Sequence, residues 1–447
     1  MKSPFKEIPG SITAPIGFLA AGVFCDIKRL GTGKGSNKGK KRDLALIMSE
    51  APASVAGLFT TNQVCAAPVK VCVEHVKGRV AQAIVANSGN ANACTGAQGL
   101  KDARAMAALV AEQFQLPAQQ VLVASTGRIG VTMPMDHVQR GILEVAQLLG
   151  NAPEHAAEAA EAIMTSDTKA KQVAIEFKLG SKTVRIGGIC KGAGMIQPGM
   201  SVTGARPAAT PLHATMLCFI TTDAAVEART LQVCLKEAVA HSFNRITVDG
   251  DMSTNDTVLV LANGLAENPV LKSEKGAAAQ DAALRTFQAA LSHVCLELAK
   301  MIVRDGEGVT RFVTVRVSGA KSFADADAAA RAVANSALVK TSWFGGDPNW
   351  GRIIDALGYS AATVVEHKVD IAYSAPASDT LVYSLKRGQP TNTPFKTLCE
   401  AAAAKEFDLH VHLNLGKARA VMYTCDLTEE YVDFNKGDVS DPSSLGG

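Results

Sequence analysis

The sequence predicts an α+β fold, with helices layered on mixed sheets instead of wound regularly around a parallel one. Three observations carry this. Short apolar and β-branched runs recur along the chain, alanine-rich stretches with helical spacing lie among them, and the two come in groups without strict strand–helix–strand alternation. The 447 residues are 47% hydrophobic and 19% charged, enough to bury a large core in two or more domains.

In chain order, "DLALIMSE", "VKVCVEHV", "AQAIVAN", "VLVAST" and "TVRIGGI" read as strands. Helical spacing marks "DARAMAALVAEQFQ", "GILEVAQLLG" and "PEHAAEAAEAIM". A strand, "TMLCFITTDA", then leads to the helix "ARTLQVCLKEAVAHSFN", the polar segment "TVDGDMSTND" and the strand "TVLVLANG". Two long helical stretches, "AQDAALRTFQAALSHVCLELAKMIVRD" and "ADADAAARAVANSALVKTSW", flank the strand "VTRFVTVRVSGA". The end is strand-rich, with "HKVDIAYS", "DTLVYSL", "DLHVHLNL" and "ARAVMYTCDL". No internal repeat is visible, and the compositional bias is toward alanine.

Charge excludes little and suggests less. There are 45 Lys plus Arg against 42 Asp plus Glu, a formal net charge of +3, which gives no reason to expect nucleic acid or an acidic membrane as partner. The basic run Lys34, Lys38, Lys40, Lys41 and Arg42 lies in a glycine-rich stretch and reads as a solvated loop. No glycine stands five residues before Gly39-Lys40, so phosphate-loop spacing fails. The ten cysteines contain no C-x-x-C pair and several sit in apolar runs, the usage of reduced core residues. No leader pattern opens the chain, and "GFLAAGVF" is too short to span a bilayer, so the expectation is a cytoplasmic protein.

Several polar motifs can carry chemistry. "VANSGNANACTG" places Asn87, Asn90 and Asn92 after a strand, where a tight turn explains them as well as a site does. "VLVASTGRIG" runs a strand into Ser125-Thr126-Gly127, a turn able to aim backbone N–H groups and a hydroxyl at one oxyanion. "CKGAGMIQPGM" offers Lys191 at a glycine-rich bend, or else a bulged strand exit with an exposed lysine. "RDGEG" offers Asp305 and Glu307 where a solvated helix end serves equally. His410 and His412 share a strand face but lack a third ligand, so no metal site is expected.

The abrupt joint is at Ala214-Thr215, where a small, proline-spaced segment meets an apolar run. Thr215 there reads as a β-branched strand starter or as a nucleophile made by cutting the chain. An N-terminal threonine carries its own base, since a free α-amine titrates near ~7.7 to 8.0 and lies beside the hydroxyl. Attack of that hydroxyl on the Ala214 carbonyl, an N-to-O acyl shift, would expose the amine.

In order along the chain, "FTTNQVCAAPV" (59–69), "NSGNANACTG" (87–96), "STGRIG" (125–130), "MTSDT" (164–168), "KGAGMI" (191–196), "ATMLCFITTDA" (214–224), "DGEG" (305–308), "WFGGDPNWGRI" (343–353) and "YVDFNKGD" (431–438) resemble the ornithine acetyltransferase family, also called glutamate N-acetyltransferases, of arginine biosynthesis. The resemblance implies a layered sandwich like that of the DmpA-type autoprocessing peptidases. It implies self-cleavage between Ala214 and Thr215 into an α chain, 1–214, and a β chain, 215–447, kept together as α2β2. It implies Thr215 as nucleophile and Thr126 and Gly127 as the oxyanion hole, with Thr165, Lys191, Thr215, Glu307, Asn435 and Ser440 touching substrate. The implied reaction moves acetyl from N-acetylornithine to glutamate through an acetyl-Thr215 ester, with no metal or organic cofactor; some members also take acetyl-CoA as donor. Two features depart from the pattern: Ala193 stands where the family has serine, and residues 199–213 form an insert before the joint. An autoprocessing β-aminopeptidase and an uncut, non-catalytic binding protein are the alternatives.

Overall fold

A computed structural model describes residues 5–28, 41–203, 216–272 and 282–436, which form two compact units. The first holds the described residues up to Asn244 and from Asp251 to Ile302. Its nine-stranded mixed sheet is built from β1 (Lys6–Glu7), β2 (Phe18–Val23), β3 (Leu44–Phe59), β4 (Val80–Asn90), β5 (Val121–Arg128), β6 (Lys171–Leu179), β7 (Lys182–Lys191), β8 (Leu217–Thr222) and β9 (Thr257–Ala262). Their order is β1-β6-β7-β8-β9-β3-β4-β5, with β2 also on β3. β7 pairs antiparallel with β8, Lys191 opposite Leu217, and β8 runs parallel to β9.

Alternation along β3 divides the core. Leu44, Leu46 and Met48 pack with α2 (Gly96–Phe114) and α3 (Met135–Gln147), whereas Ala45 and Ile47 pack with α4 (Pro153–Ala162). Successive side chains of a strand point to opposite faces, so helices on both faces explain why the strand reads as a continuous apolar run. α5 (Ala228–Ala240) and α6 (Ala282–Arg304) follow later in the chain.

The second unit, Arg245–Gly250 with Val303–Lys436, has a six-stranded sheet. Its strands are β10 (Phe312–Ala320), β11 (Asp370–Ser374), β12 (Val382–Lys386), β13 (Gln389–Pro390), β14 (Glu406–His412) and β15 (Ala418–Cys425), ordered β13-β12-β11-β14-β10-β15. Val313, Val315 and Val317 of β10 share a core with Trp343, Tyr373 and Phe407. Around it lie α7 (Phe323–Asn335), α8 (Ala337–Phe344) and α9 (Trp350–Gly358), then α10 (Phe395–Ala402) and α11 (Glu429–Asn435). The layered α+β class is as expected. The expected division at 214/215 falls within the chain of the first unit.

Several elements differ from the sequence reading. "VKVCVEHV" is not a strand: residues Ala67–His75 form the helix α1. Pro68 suits a first helical turn, and the buried Pro68, Val71, Cys72 and His75 follow helical spacing that the valine alternation conceals. The stretch expected as one helix from residue 324 breaks at Ser336, whose hydroxyl accepts from the Val339 N–H at 3.3 Å and starts α8 anew. β6 and α9 were not anticipated; Asn349 caps α9 by accepting from the Arg352 N–H at 3.1 Å.

Candidate active site

The ends of β4, β5 and β7 and the starts of β8 and β9 gather the polar motifs, and a buried asparagine network holds them. Asn87 donates to the Asn90 carbonyl at 2.9 Å and accepts from the Ser125 hydroxyl at 2.6 Å. Asn90 accepts from the Asn92 N–H at 2.8 Å, and Asn92 donates to the Gly99 carbonyl at 2.9 Å. Asn255 bridges the Ala91 and Ser125 carbonyls, both at 2.7 Å. A buried amide that satisfies donors and acceptors on two loops at once rigidifies both. The three asparagines of the sequence motif are thus turn-builders whose product is the placement of residues 125–127.

Thr126 ends the buried part of β5, and Gly127 follows with φ +127°. A side chain at Gly127 would lie 2.4 Å from the Gly89 carbonyl carbon, so only glycine lets β4 and β5 approach this closely. Lys191, at the end of β7, is not the exposed lysine of a strand exit. It is 2% exposed and donates from Nζ to Thr126 Oγ1 at 3.3 Å.

Asp167 organises the other side of Lys191. Its Oδ1 accepts from Lys171 Nζ at 2.6 Å and from the Gly192 N–H at 2.7 Å; its Oδ2 accepts from the Thr165 N–H at 2.9 Å. Burial alone would raise this carboxyl, but the charges of Lys191 and Lys171 and the bonds outweigh it and hold Asp167 well below the usual carboxylate range. Two buried lysines therefore lie in the field of one ionised carboxylate.

Asp256, immediately before β9, is fully buried. Its Oδ1 accepts from the Met216 N–H, while Oδ2 has no hydrogen-bond partner among the described residues. Burial pushes this carboxyl well above its ordinary range, against the Met216 bond and the Lys191 charge.

The structure thus brings together Thr126, Gly127 and Lys191, and ties Thr165 to them through Asp167. In the second unit, Asn435 of α11 donates to Glu307 at 2.8 Å, so these two expected site residues touch each other. Ala214, Thr215 and Ser440 lie outside the described residues, as does most of the 199–213 insert. So do Lys34, Lys38 and Lys40 of the basic run, whereas Arg42 pairs with Glu158 and Glu161 at 2.7 and 2.8 Å. His410 and His412 are held by the hydroxyls of Ser374 and Ser318 at 2.9 and 2.8 Å. Among the described residues, no group of three or more His, Cys, Asp or Glu side chains is placed to hold a metal ion, and no helix is long and apolar enough to cross a membrane.

Sequence reasoning missed Asp167, Asn255 and Asp256. Their signal was present: an acidic or amide residue in "MTSDT" and in "STND" just before an apolar strand is badly placed for solvent unless it serves a buried turn.

Comparison with known proteins gives the chain a family. Residues 22–437 match the ArgJ family. The "Arginine biosynthesis bifunctional protein ArgJ" of Symbiobacterium thermophilum is 46% identical over 96% of this chain and 98% of its own length. The "Glutamate N-acetyltransferase" of Methanocaldococcus jannaschii is likewise 46% identical, over 96% of this chain and 98% of its own. Among solved structures, an ornithine acetyltransferase complexed with ornithine from Mycobacterium tuberculosis is 37% identical with a TM-score of 0.40, covering 44% of this chain and 100% of that one. With a family match across nearly the whole chain and relatives this similar end to end, the protein belongs to the ArgJ family.

Proposed function

We propose that this chain is an acetyltransferase of arginine biosynthesis that moves acetyl from N-acetylornithine to glutamate, using Thr215 as a nucleophile exposed by cleavage after Ala214. The observation that best supports this is the buried contact of Lys191 with Thr126 at the strand ends, in the same polar cluster whose Asp256 binds the N–H of Met216, the residue bonded to Thr215. The relatives named for glutamate N-acetyl transfer and for bifunctional arginine biosynthesis support the same reaction.

In this reading the Thr215 hydroxyl gives its proton to its own amine and attacks the acetyl carbon. The Thr126 hydroxyl and Gly127 N–H receive the oxyanion. The amine's proton passes to departing ornithine, leaving acetyl-Thr215, and the amine of glutamate then takes the acetyl group and restores the hydroxyl. Lys191 and Thr165 hold a substrate carboxylate through charge-assisted hydrogen bonds. Glu307, with Asn435 and Ser440, holds a substrate amine. Acetyl-CoA is a second donor in place of N-acetylornithine. No cofactor enters any step.

Cleavage would give chains of 214 and 447 − 214 = 233 residues. β7 lies on one side of the cut and β8 on the other, and six register pairs join them, so the α and β chains would stay interleaved in one sheet. The assembly is an α2β2 tetramer of the cytoplasm. The test is to incubate the protein with N-acetylornithine and labelled glutamate. Label in N-acetylglutamate is expected; acyl transfer to water alone would support a β-aminopeptidase instead, and no turnover with an uncut chain a binding protein.

A further inference from the structure

In the second unit, the segment that carries Glu307 is held by two side chains just beyond the end of β15. Asp426, 3% exposed, accepts through Oδ1 from the Thr310 N–H at 2.9 Å and from the Arg311 N–H at 3.0 Å. Nearby, the Thr428 hydroxyl is buried; it donates to the Gly308 carbonyl at 2.7 Å and accepts from the Tyr431 N–H at 3.3 Å. One hydroxyl therefore both caps α11 and bonds the residue that follows Glu307. Gly308 has φ +68°, and a side chain there would lie 2.5 Å from the Tyr431 nitrogen, so glycine is what lets the turn close on the start of the helix.

The far end of α11 returns to the same turn. Asn435 Nδ2 donates to Glu307 Oε2 at 2.8 Å and to the Tyr431 carbonyl at 2.9 Å. Both partners are acceptors, so the amide must present its nitrogen to them, and both of its protons are spent. What remains for a substrate is carboxylate oxygen and amide oxygen, acceptors alone. Such a pair suits a primary ammonium, which carries only donors, and disfavours a carboxylate.

We propose that Thr428 and Asn435 set Glu307 as half of an acceptor-only pair for the side-chain ammonium of the acetyl donor: Asn435 is the other half, and Thr428 is a positioning residue that holds the turn. The inference rests on the reading of Glu307 as a residue that holds a substrate amine. The acetylated nitrogen of N-acetylornithine is uncharged, which leaves its side-chain ammonium as the group to be held. Glutamate ends its side chain in a carboxylate, so the pair distinguishes the two substrates.

The test titrates the purified protein by calorimetry with ornithine and with norvaline, which lacks the side-chain ammonium. Thr428→Val and Asn435→Ala should each weaken ornithine about tenfold and leave norvaline unchanged. Thr428→Ser keeps the hydroxyl and should bind ornithine as wild type does. In turnover, Thr428→Val and Asn435→Ala should raise KM for N-acetylornithine with kcat and the KM for glutamate held. Equal losses for ornithine and norvaline would mark a merely structural effect and overturn the proposal. So would a folded Thr428→Val, or an Asn435→Ala, with wild-type affinity for ornithine; the exposed Asn435 keeps the test open if Thr428→Val fails to fold. A Glu307→Gln variant that binds ornithine as wild type does would refute the reading of Glu307 and the proposal with it. Selective loss of ornithine in these variants, with no acetyl transfer in wild type, would leave the assignment standing and overturn the acetyltransferase reading.

Discussion

The two units differ in how their buried charges are grouped. In the second, the sheet's ion pairs keep an exposed cation, Arg316 with the buried Asp408 at 2.7 Å and Arg304 with Glu406 at 2.8 Å, His410 and His412 bind serine hydroxyls, and the buried Lys340 and Asp426 are held apart from each other by hydroxyl and backbone partners. In the first, Lys191 at the end of β7, Lys171 at the start of β6, Asp167 and Asp256 just before β9 are almost wholly buried. Exposed pairs contribute little, whereas buried charges are costly unless closely paired. The contrast separates polar residues dispersed among neutral partners from a buried charged cluster that the fold supports at a cost, the cluster on which the proposed reaction draws.

The largest effect is expected at the joint itself. Thr215→Ala should leave an uncut chain and lower acetyl transfer by about three orders of magnitude or more, since neither hydroxyl nor free amine remains. Thr215→Ser should keep a reduced level of both, read by gel and by label transfer.

Next comes Lys191→Ala. Removing the lysine that reaches Thr126 should lower kcat/KM about a hundredfold, with most of the change in KM for substrates that carry a carboxylate. An unchanged KM would move carboxylate recognition elsewhere.

Asp167→Asn probes stability more than turnover. Removing the carboxylate between Lys171 and Lys191 should cost about 3 kcal/mol at pH 7, measured by urea unfolding. The sign with pH follows from its depressed folded pKa. The wild-type contribution is fully present above the ordinary ~3.9 of an unfolded carboxylate and is lost as pH falls below it toward the folded value. The gap between variant and wild type should therefore narrow on acidification below about pH 4.

The smallest effect is expected in the second unit. Burial first, then the Arg316 charge, lowers the pKa of His410, while Asp408 opposes them. His410→Ala removes one hydrogen bond to Ser374 and should cost about 1 kcal/mol or less, with acetyl transfer unchanged. A large loss of transfer there would break the contrast between the units.

Much of this was legible in the sequence, for identifiable reasons. The strands at 44, 80, 121, 183 and 217 are buried on both faces, so their apolar runs are unmistakable, and the glycine after Thr126 announced a backbone that only glycine adopts. The helix at Ala67–His75 was hidden because its alternating valines mimic a strand while its proline and packing decide for helix. Thr126 and Lys191 stood out in the sequence because each lies at a glycine bend, and the roles expected of them came from the family resemblance. Asp167, Asn255 and Asp256 were missed because their roles depend on partners from 25 to 164 residues away, which no local pattern displays. The burial of Lys191 was missed for the same reason: its partners are Thr126 of β5 and Leu217 of β8.

The most direct measurement of the central claim is the intact mass of the protein before and after N-acetylornithine, with amino-terminal sequencing. The expected result is two chains, of 214 and 233 residues (447 − 214), the second beginning Thr-Met-Leu-Cys and gaining the mass of one acetyl group that glutamate then removes. A single chain of 447 residues that gains no acetyl group would contradict it.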